Sequence, residues 1–131
     1  MKLILNKNVW LFLALAYTIS LLVASLVKIK SDSLPVNFTN ADKIFHFGAY
    51  FAMTLIWNFY YYIRKKSAEK KPNLWICFAI IIFGIIVELL QRDMTTYRSF
   101  EWLDVVANSL GVIFGYIVLK ISLPKLPFEF K

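Results

Sequence analysis

"VWLFLALAYTISLLVASLV", Val9–Val27, runs for nineteen residues without one charged side chain. At 1.5 Å per residue a helix of that length is about 28 Å long, close to the roughly 30 Å hydrocarbon thickness of a bilayer. A chain of 131 residues has too small an interior to surround an all-round apolar helix. The run therefore predicts a membrane-spanning helix. Lys2 and Lys7 precede it in the manner of a secretory signal, but a signal has a shorter apolar core and a small-residue cleavage site. Here the apolar stretch passes through Leu22, Val23 and Leu26 to Val27 and meets Lys28. We read it as an uncleaved helix.

Three further runs repeat the pattern downstream. Ile44–Ile63 carries only His46 as an ionisable interruption of its apolar character, Leu74–Leu90 only Glu88, and Val105–Leu123 only Lys120. The chain is 60% hydrophobic, against roughly 45–50% in soluble domains. The expected fold is all-α: one integral membrane domain over residues 1–131, a four-helix bundle with helices near 9–27, 44–63, 74–90 and 105–123. Connections fall at Lys28–Lys43, with Ser31, Ser33, Pro35 and Asn37–Asn40 as breakers, at the basic Arg64–Lys71 before Pro72, and between Gln91 and Asp104.

Charge sets the expected orientation, because lysine and arginine accumulate on the cytoplasmic side of a membrane protein. With Arg64–Lys71 inside, Lys2, Lys7, the five basic residues of that loop, Lys120, Lys125 and Lys131 make ten inner cations, against Lys28, Lys30, Lys43, Arg92 and Arg98 outside. Four spans then leave both termini cytoplasmic. The net charge of +7 is accounted for by this topology and by attraction to anionic lipids, so no nucleic acid partner is expected. The single cysteine, Cys77, excludes an internal disulfide and a cysteine-based metal cluster. The sequence contains no nucleotide-binding glycine loop.

The polar residues gather at one end of such a bundle. Helix two starts at the outer face, helix three ends there and helix four starts there, which collects Asp42, His46, Glu88, Gln91, Asp104 and Asn108 at one membrane face, with His46 about 6 Å deeper than Asp42 and Asn108 similarly below Asp104. Asp42, His46 and Tyr50 follow an i, i+4, i+8 stripe; Asp104, Asn108, Gly111 and Gly115 step by four, three and four. An ionisable group at the hydrocarbon edge must face the bundle or water, so His46 and Glu88 are expected to point inward. Asp42 and Asp104 also suit helix N-termini, whereas Glu88 lies at a helix C-terminal end, where the dipole disfavours a negative charge. Gly111 and Gly115 predict a close helix contact. Arg92 and Asp93 read as a solvated pair, and Trp57, Phe59, Tyr60, Tyr61 and Tyr62 as an interfacial aromatic belt.

"DKIFHFGAYF" at Asp42–Phe51, followed by Glu88, Gln91, Arg98, Asp104, Asn108 and Gly111, resembles the VanZ-like family of small bacterial membrane proteins, over about helices two to four. The resemblance implies a multi-pass protein of the bacterial cell membrane, in a cell-envelope setting associated with glycopeptide resistance and with enzymes of lipid headgroups and lipid-linked cell-wall precursors. It implies no particular reaction, and a shared fold does not transfer one.

The residues themselves suggest what the chemistry requires. His46, Glu88 and Asp104 are the candidate catalytic groups: the imidazole moves a proton, a carboxylate orients it, and Asp104 serves as base. Asp42, Lys43, Gln91, Arg98 and Asn108 are the candidate substrate-binding groups, the two cations for a phosphate and the amides for a polar headgroup. Asp104 with Glu88 and His46 would also make an oxygen-rich divalent-cation site, of unknown metal. Ser99 and Thr96 have no assignable base, so no nucleophile is expected. Taken with the envelope setting that the resemblance implies, two functions of different class follow: an interfacial enzyme acting on a phosphate-bearing lipid headgroup or lipid-linked cell-wall precursor, and a non-catalytic binder of an envelope lipid or glycopeptide that contributes to antibiotic resistance. A transporter ranks third, since the inner helix ends carry no matching polar track.

Overall fold

The computed structural model of the protein describes residues 6–26, 38–65, 70–94 and 102–127. It is all-α, with α1 at Lys7–Leu26, α2 at Phe38–Lys65, α3 at Leu74–Met94 and α4 at Trp102–Ser122, closed by a single 3-10 turn at Leu123–Lys125. Local chemistry explains several boundaries. Asn73 accepts the Trp75 N–H through its side-chain oxygen at 2.8 Å, capping the start of α3. Arg64 and Lys65 occupy the last turn of α2, where positive charge complements the helix dipole. Pro124 falls in the turn that ends α4, and it has no backbone N–H with which to continue an α-helix.

Three helices are both long and apolar enough to cross a membrane: Lys7–Leu26, Leu74–Asp93 and Trp102–Lys125. This differs from the expected four equivalent spans. At 28 residues, α2 has ample length, about 42 Å at 1.5 Å per residue, but it begins six residues earlier than the apolar run and so takes in Asp42 and Lys43. Its polar groups are spent inward. His46, Thr54 and Asn58 are all buried, which lowers the helix's apolarity without exposing charge to lipid.

The physical centre of the bundle is α2, which packs against each of the other three helices and most extensively against α4. The glycines of α4 make that contact possible. A Cβ on Gly111 would overlap the Phe47 carbonyl oxygen and come within 3.1 Å of the Phe51 nitrogen, and one on Gly115 would lie 3.0 Å from Thr54 Cβ. The small-residue stripe expected from the sequence therefore seats α4 directly on the main chain of α2.

Two apolar clusters fill the interior. One contains Leu21, Tyr50, Met53, Cys77, Ile80 and Val112, and the other Tyr62, Ile63, Leu119 and Leu123. Tyr62 thus departs from the expected interfacial belt: it is 1% exposed, because its register on α2 turns it toward α4. Phe59 packs its ring against Trp10 of α1 at 4.5 Å between centroids. Trp57 donates its indole N–H to Thr18 Oγ1 of α1 at 3.0 Å. Arg92 and Asp93 do form an exposed pair, at 2.9 Å. Apolar side chains such as Phe12, Ile44 and Trp75 cover the outside, as expected of a surface in contact with acyl chains.

Candidate functional site

At the end of the bundle where α2 and α4 begin and α3 ends, five of the expected residues converge. Asp42 and His46, one turn apart on α2, share a face with Lys43 turned toward α4. From α4, Asp104 and Asn108 meet them, also one turn apart. Lys43 Nζ donates to Asp104 Oδ1 at 2.9 Å. His46 Nε2 lies 3.5 Å from Asp104 Oδ2 and 3.7 Å from Asp42 Oδ2. On the other side of the ring, His46 Nδ1 and Asn108 Oδ1 are 3.0 Å apart.

The cluster is deep. The Asp104 side chain is 3% exposed, that of His46 8% and those of Asp42 and Lys43 about a quarter. Water thus reaches the Asp42 and Lys43 edge, while the inner wall is dry. An Asp104 carboxylate in that wall needs the lysine: a buried charge without a partner costs several kcal/mol.

Asn108 links this cluster to α3. Its Nδ2 and the ring of Tyr50 lie over Gly84, at 3.2 Å and 3.0 Å from where a Cβ would stand. Gly84 therefore leaves the space in which the asparagine holds His46. One turn further along α3, the buried Glu88 is within electrostatic range of Tyr50. Among the described residues, Asp42, His46 and Asp104 are the set whose donor atoms lie within 4.8 Å of one another. The carboxylate completing the set is Asp42, where the sequence suggested Glu88, because Asp42 is on the same helix face as His46 whereas Glu88 approaches from α3 at the level of Tyr50.

Gln91 is buried and engaged elsewhere, donating through Nε2 to the Ser25 carbonyl at 2.6 Å. It fastens the end of α1 to α3. Arg98 lies outside the described residues. Gly84 and Ser25 carry no signal in the sequence, because their roles depend on which helices are neighbours. Also unanticipated is Asn58, which is 1% exposed at the far end of α2. Asn58 accepts the Asn73 N–H at 2.7 Å and donates to the Thr54 carbonyl at 2.9 Å, bracing the start of α3. A polar side chain within an apolar run was its only signal.

Beside the cluster, α1 and α2 border an open apolar groove of about 460 Å³, lined by Tyr17, Ser20 and Ala24 on α1 and by Phe45, Gly48 and Ala49 on α2. A Cβ on Gly48 would meet nothing within 4 Å, so the groove floor is open. Its volume falls within the roughly 300–1,000 Å³ of small-molecule sites.

Comparison with known proteins gives one family and one relative to report. The sequence model of the family described as VanZ/LLP1 matches residues 2–123. An uncharacterised protein of the fission yeast Schizosaccharomyces pombe is 34% identical over 97 residues, which cover 74% of this chain and 56% of that protein. The chain thus spans little more than half the length of that relative. The relative is fungal, so the similarity carries no bacterial setting with it. No solved structure matches.

Proposed function

The chain belongs to the VanZ/LLP1 family, and from that premise we propose that this multi-pass membrane protein binds and transforms a phosphate-bearing lipid headgroup or a lipid-linked envelope precursor. The observation that carries the reading is the convergence of Lys43, His46, Asp104 and Asn108 at one end of the bundle. That end lies at headgroup depth if α2 crosses the bilayer with the other three helices. In this reading it faces outward, with both termini cytoplasmic, following the ten-to-five distribution of cations.

The geometry supports a division of labour. The headgroup enters at the partly exposed Asp42 and Lys43 edge, and its acyl chain runs down the apolar groove between α1 and α2. His46, held by Asn108 on one nitrogen, presents the other for proton transfer, and Asp104 orients it. Glu88 approaches from α3 and sets the polarity of the inner wall. Binding without turnover is the second reading, in which the same pocket sequesters an envelope lipid or a glycopeptide and contributes to antibiotic resistance. The Lys43–Asp104 pair favours it, since both groups then serve to hold the helices and the headgroup alone.

Lipid profiles of cells with and without the protein, alongside native mass spectrometry of the purified protein, test the proposal. The expected result is a co-purifying phosphate-bearing lipid and a shifted headgroup pool. A retained lipid with an unchanged pool would establish the binder, and neither effect would remove both readings.

A further inference from the structure

We propose that Asp42, His46 and Asp104 bind a divalent transition-metal ion, and that this ion carries the phosphate. The second half rests on the headgroup reading above; the cation site stands on its own geometry. The two separations from His46 Nε2, 3.5 Å to Asp104 Oδ2 and 3.7 Å to Asp42 Oδ2, are at or beyond the limit of a hydrogen bond. They suit another purpose. Donors that sit about 2.0–2.2 Å from one ion lie about 3–4.4 Å from each other, so small side-chain rotations would close this set, in which every pair lies within 4.8 Å.

The surroundings favour an ion as well. Asn108 is 2% exposed, with Nδ2 on the α3 side over Gly84; its Oδ1 bonds the far nitrogen of His46, at 3.0 Å. With Nδ1–H donated to Asn108 Oδ1, the lone pair of Nε2 is directed at two carboxylate oxygens. Three electron-rich atoms then face each other at the partly exposed edge of the pocket, and a cation between them would add attraction to what Lys43 supplies from the other oxygen of Asp104. An outer hydrogen bond of this kind is how histidine ligands are usually oriented. Asp104 divides its two oxygens accordingly: Lys43 takes Oδ1 at 2.9 Å, leaving Oδ2 toward His46.

The donor set also selects the ion. One imidazole and two carboxylates suit Mn²⁺ or Zn²⁺ better than Ca²⁺, which takes six to eight oxygens. Three protein ligands leave coordination positions open; with Nε2 on the ion, His46 serves as its ligand and not as the proton carrier of the reading above. A phosphate oxygen fits there, and the ion answers an electrostatic difficulty: a doubly negative phosphate would otherwise approach two aspartates.

Titration of the purified protein in nanodiscs with Mn²⁺, followed by the loss of the free-ion electron paramagnetic resonance signal, tests the site. One saturable equivalent is expected. Asp42→Asn and Asp104→Asn should weaken it about tenfold or more, and Asn108→Ala by about 10–100-fold through loss of the outer bond. Lys43→Met should bind Mn²⁺ more tightly, because it removes a competing positive charge; a merely structural cluster has no reason to gain affinity. Asp42 is partly exposed, so Asp42→Asn remains informative if the Asp104 variant fails to fold. Absence of saturable Mn²⁺ binding by the wild type, or unchanged binding in Asp42→Asn, would overturn the site. Nanodiscs containing phosphatidic acid separate the two halves. Lipid retention that needs Mn²⁺ supports both. Retention that survives chelation overturns the bridging role and leaves the headgroup reading intact, whereas Mn²⁺ bound without lipid retention removes the headgroup reading and leaves the cation site.

Discussion

Asn108 of α4 holds His46 of α2 by its far ring nitrogen, Oδ1 to Nδ1 at 3.0 Å, and thereby directs the near nitrogen at Asp42 and Asp104. The imidazole is thus aimed by a neutral side chain from a different helix. Replacing Asn108 with Leu is expected to reduce turnover of the lipid by about 10–100-fold while the protein still inserts and accumulates. Replacing it with Asp should restore part of the loss, since a carboxylate oxygen can accept the same proton. Assay of headgroup turnover in membranes from the three strains, normalised to protein, checks the order wild type, Asn108→Asp, Asn108→Leu.

His46→Gln separates chemistry from recognition. The amide keeps size and polarity but carries no titratable proton at neutral pH, so an enzyme should lose turnover by about 10²–10⁴-fold; the co-purifying lipid should stay if His46 only moves a proton and fall with the ion if His46 is its ligand. Native mass spectrometry of the variant next to lipid profiling of the cells reads both quantities. Full retention of the cellular phenotype and lipid profile in this variant and in Glu88→Gln would leave only the binding reading.

Filling the α1–α2 groove tests where the acyl chain lies. Gly48→Leu adds a side chain where a Cβ meets nothing within 4 Å, so the fold should tolerate it. Retention of long-chain phosphatidic acid should fall, and binding of the short-chain form should not. Equal retention of both chain lengths would place the chain elsewhere.

The helix contact itself predicts a steep dependence on size. Gly111→Ala forces a Cβ into the Phe47 carbonyl, and overpacking of this kind costs about 1–3 kcal/mol. Reversible unfolding in mixed micelles should show that loss for Gly111→Ala and almost none for Gly48→Ala. Equal stability of the two variants would mean that α4 does not rest on α2 as described.

Orientation is checked by chemistry at two serines. On a Cys77→Ser background, Ser31→Cys should react with an impermeant thiol reagent from outside intact cells and Ser67→Cys should not. The opposite pattern inverts the bundle and places the cluster at the cytoplasmic face.

Much of this site could be read from helical period alone. Asp42 with His46, and Asp104 with Asn108, each lie one turn apart, and the need to hide ionisable groups from lipid turns both pairs inward. That much is local. The pairing of Lys43 with Asp104 was not visible, because it depends on the register between α2 and α4, which the glycines set through the main chain. Gln91 shows the same limit: its inward face was predictable, its partner Ser25 was not. The start of α2 was less legible, since its apolar run begins only at Ile44 and the sequence placed Lys43 at the end of the preceding connection. Asp42 and Lys43 are both helical, and the structure makes them the rim of the site.

The seating of Gly111 on the Phe47 carbonyl has a mechanical corollary. Two helices in main-chain contact have no slack between them, so α4 cannot slide or tilt against α2 without a collision of backbone atoms. The contact between α2 and α1 is of another kind. There α1 is tied by exchangeable side-chain bonds, Tyr17 to the Ala49 carbonyl, Trp57 to Thr18 and Gln91 to the Ser25 carbonyl. The bundle thus joins α4 to α2 by main-chain contact and α1 to its neighbours by side-chain bonds.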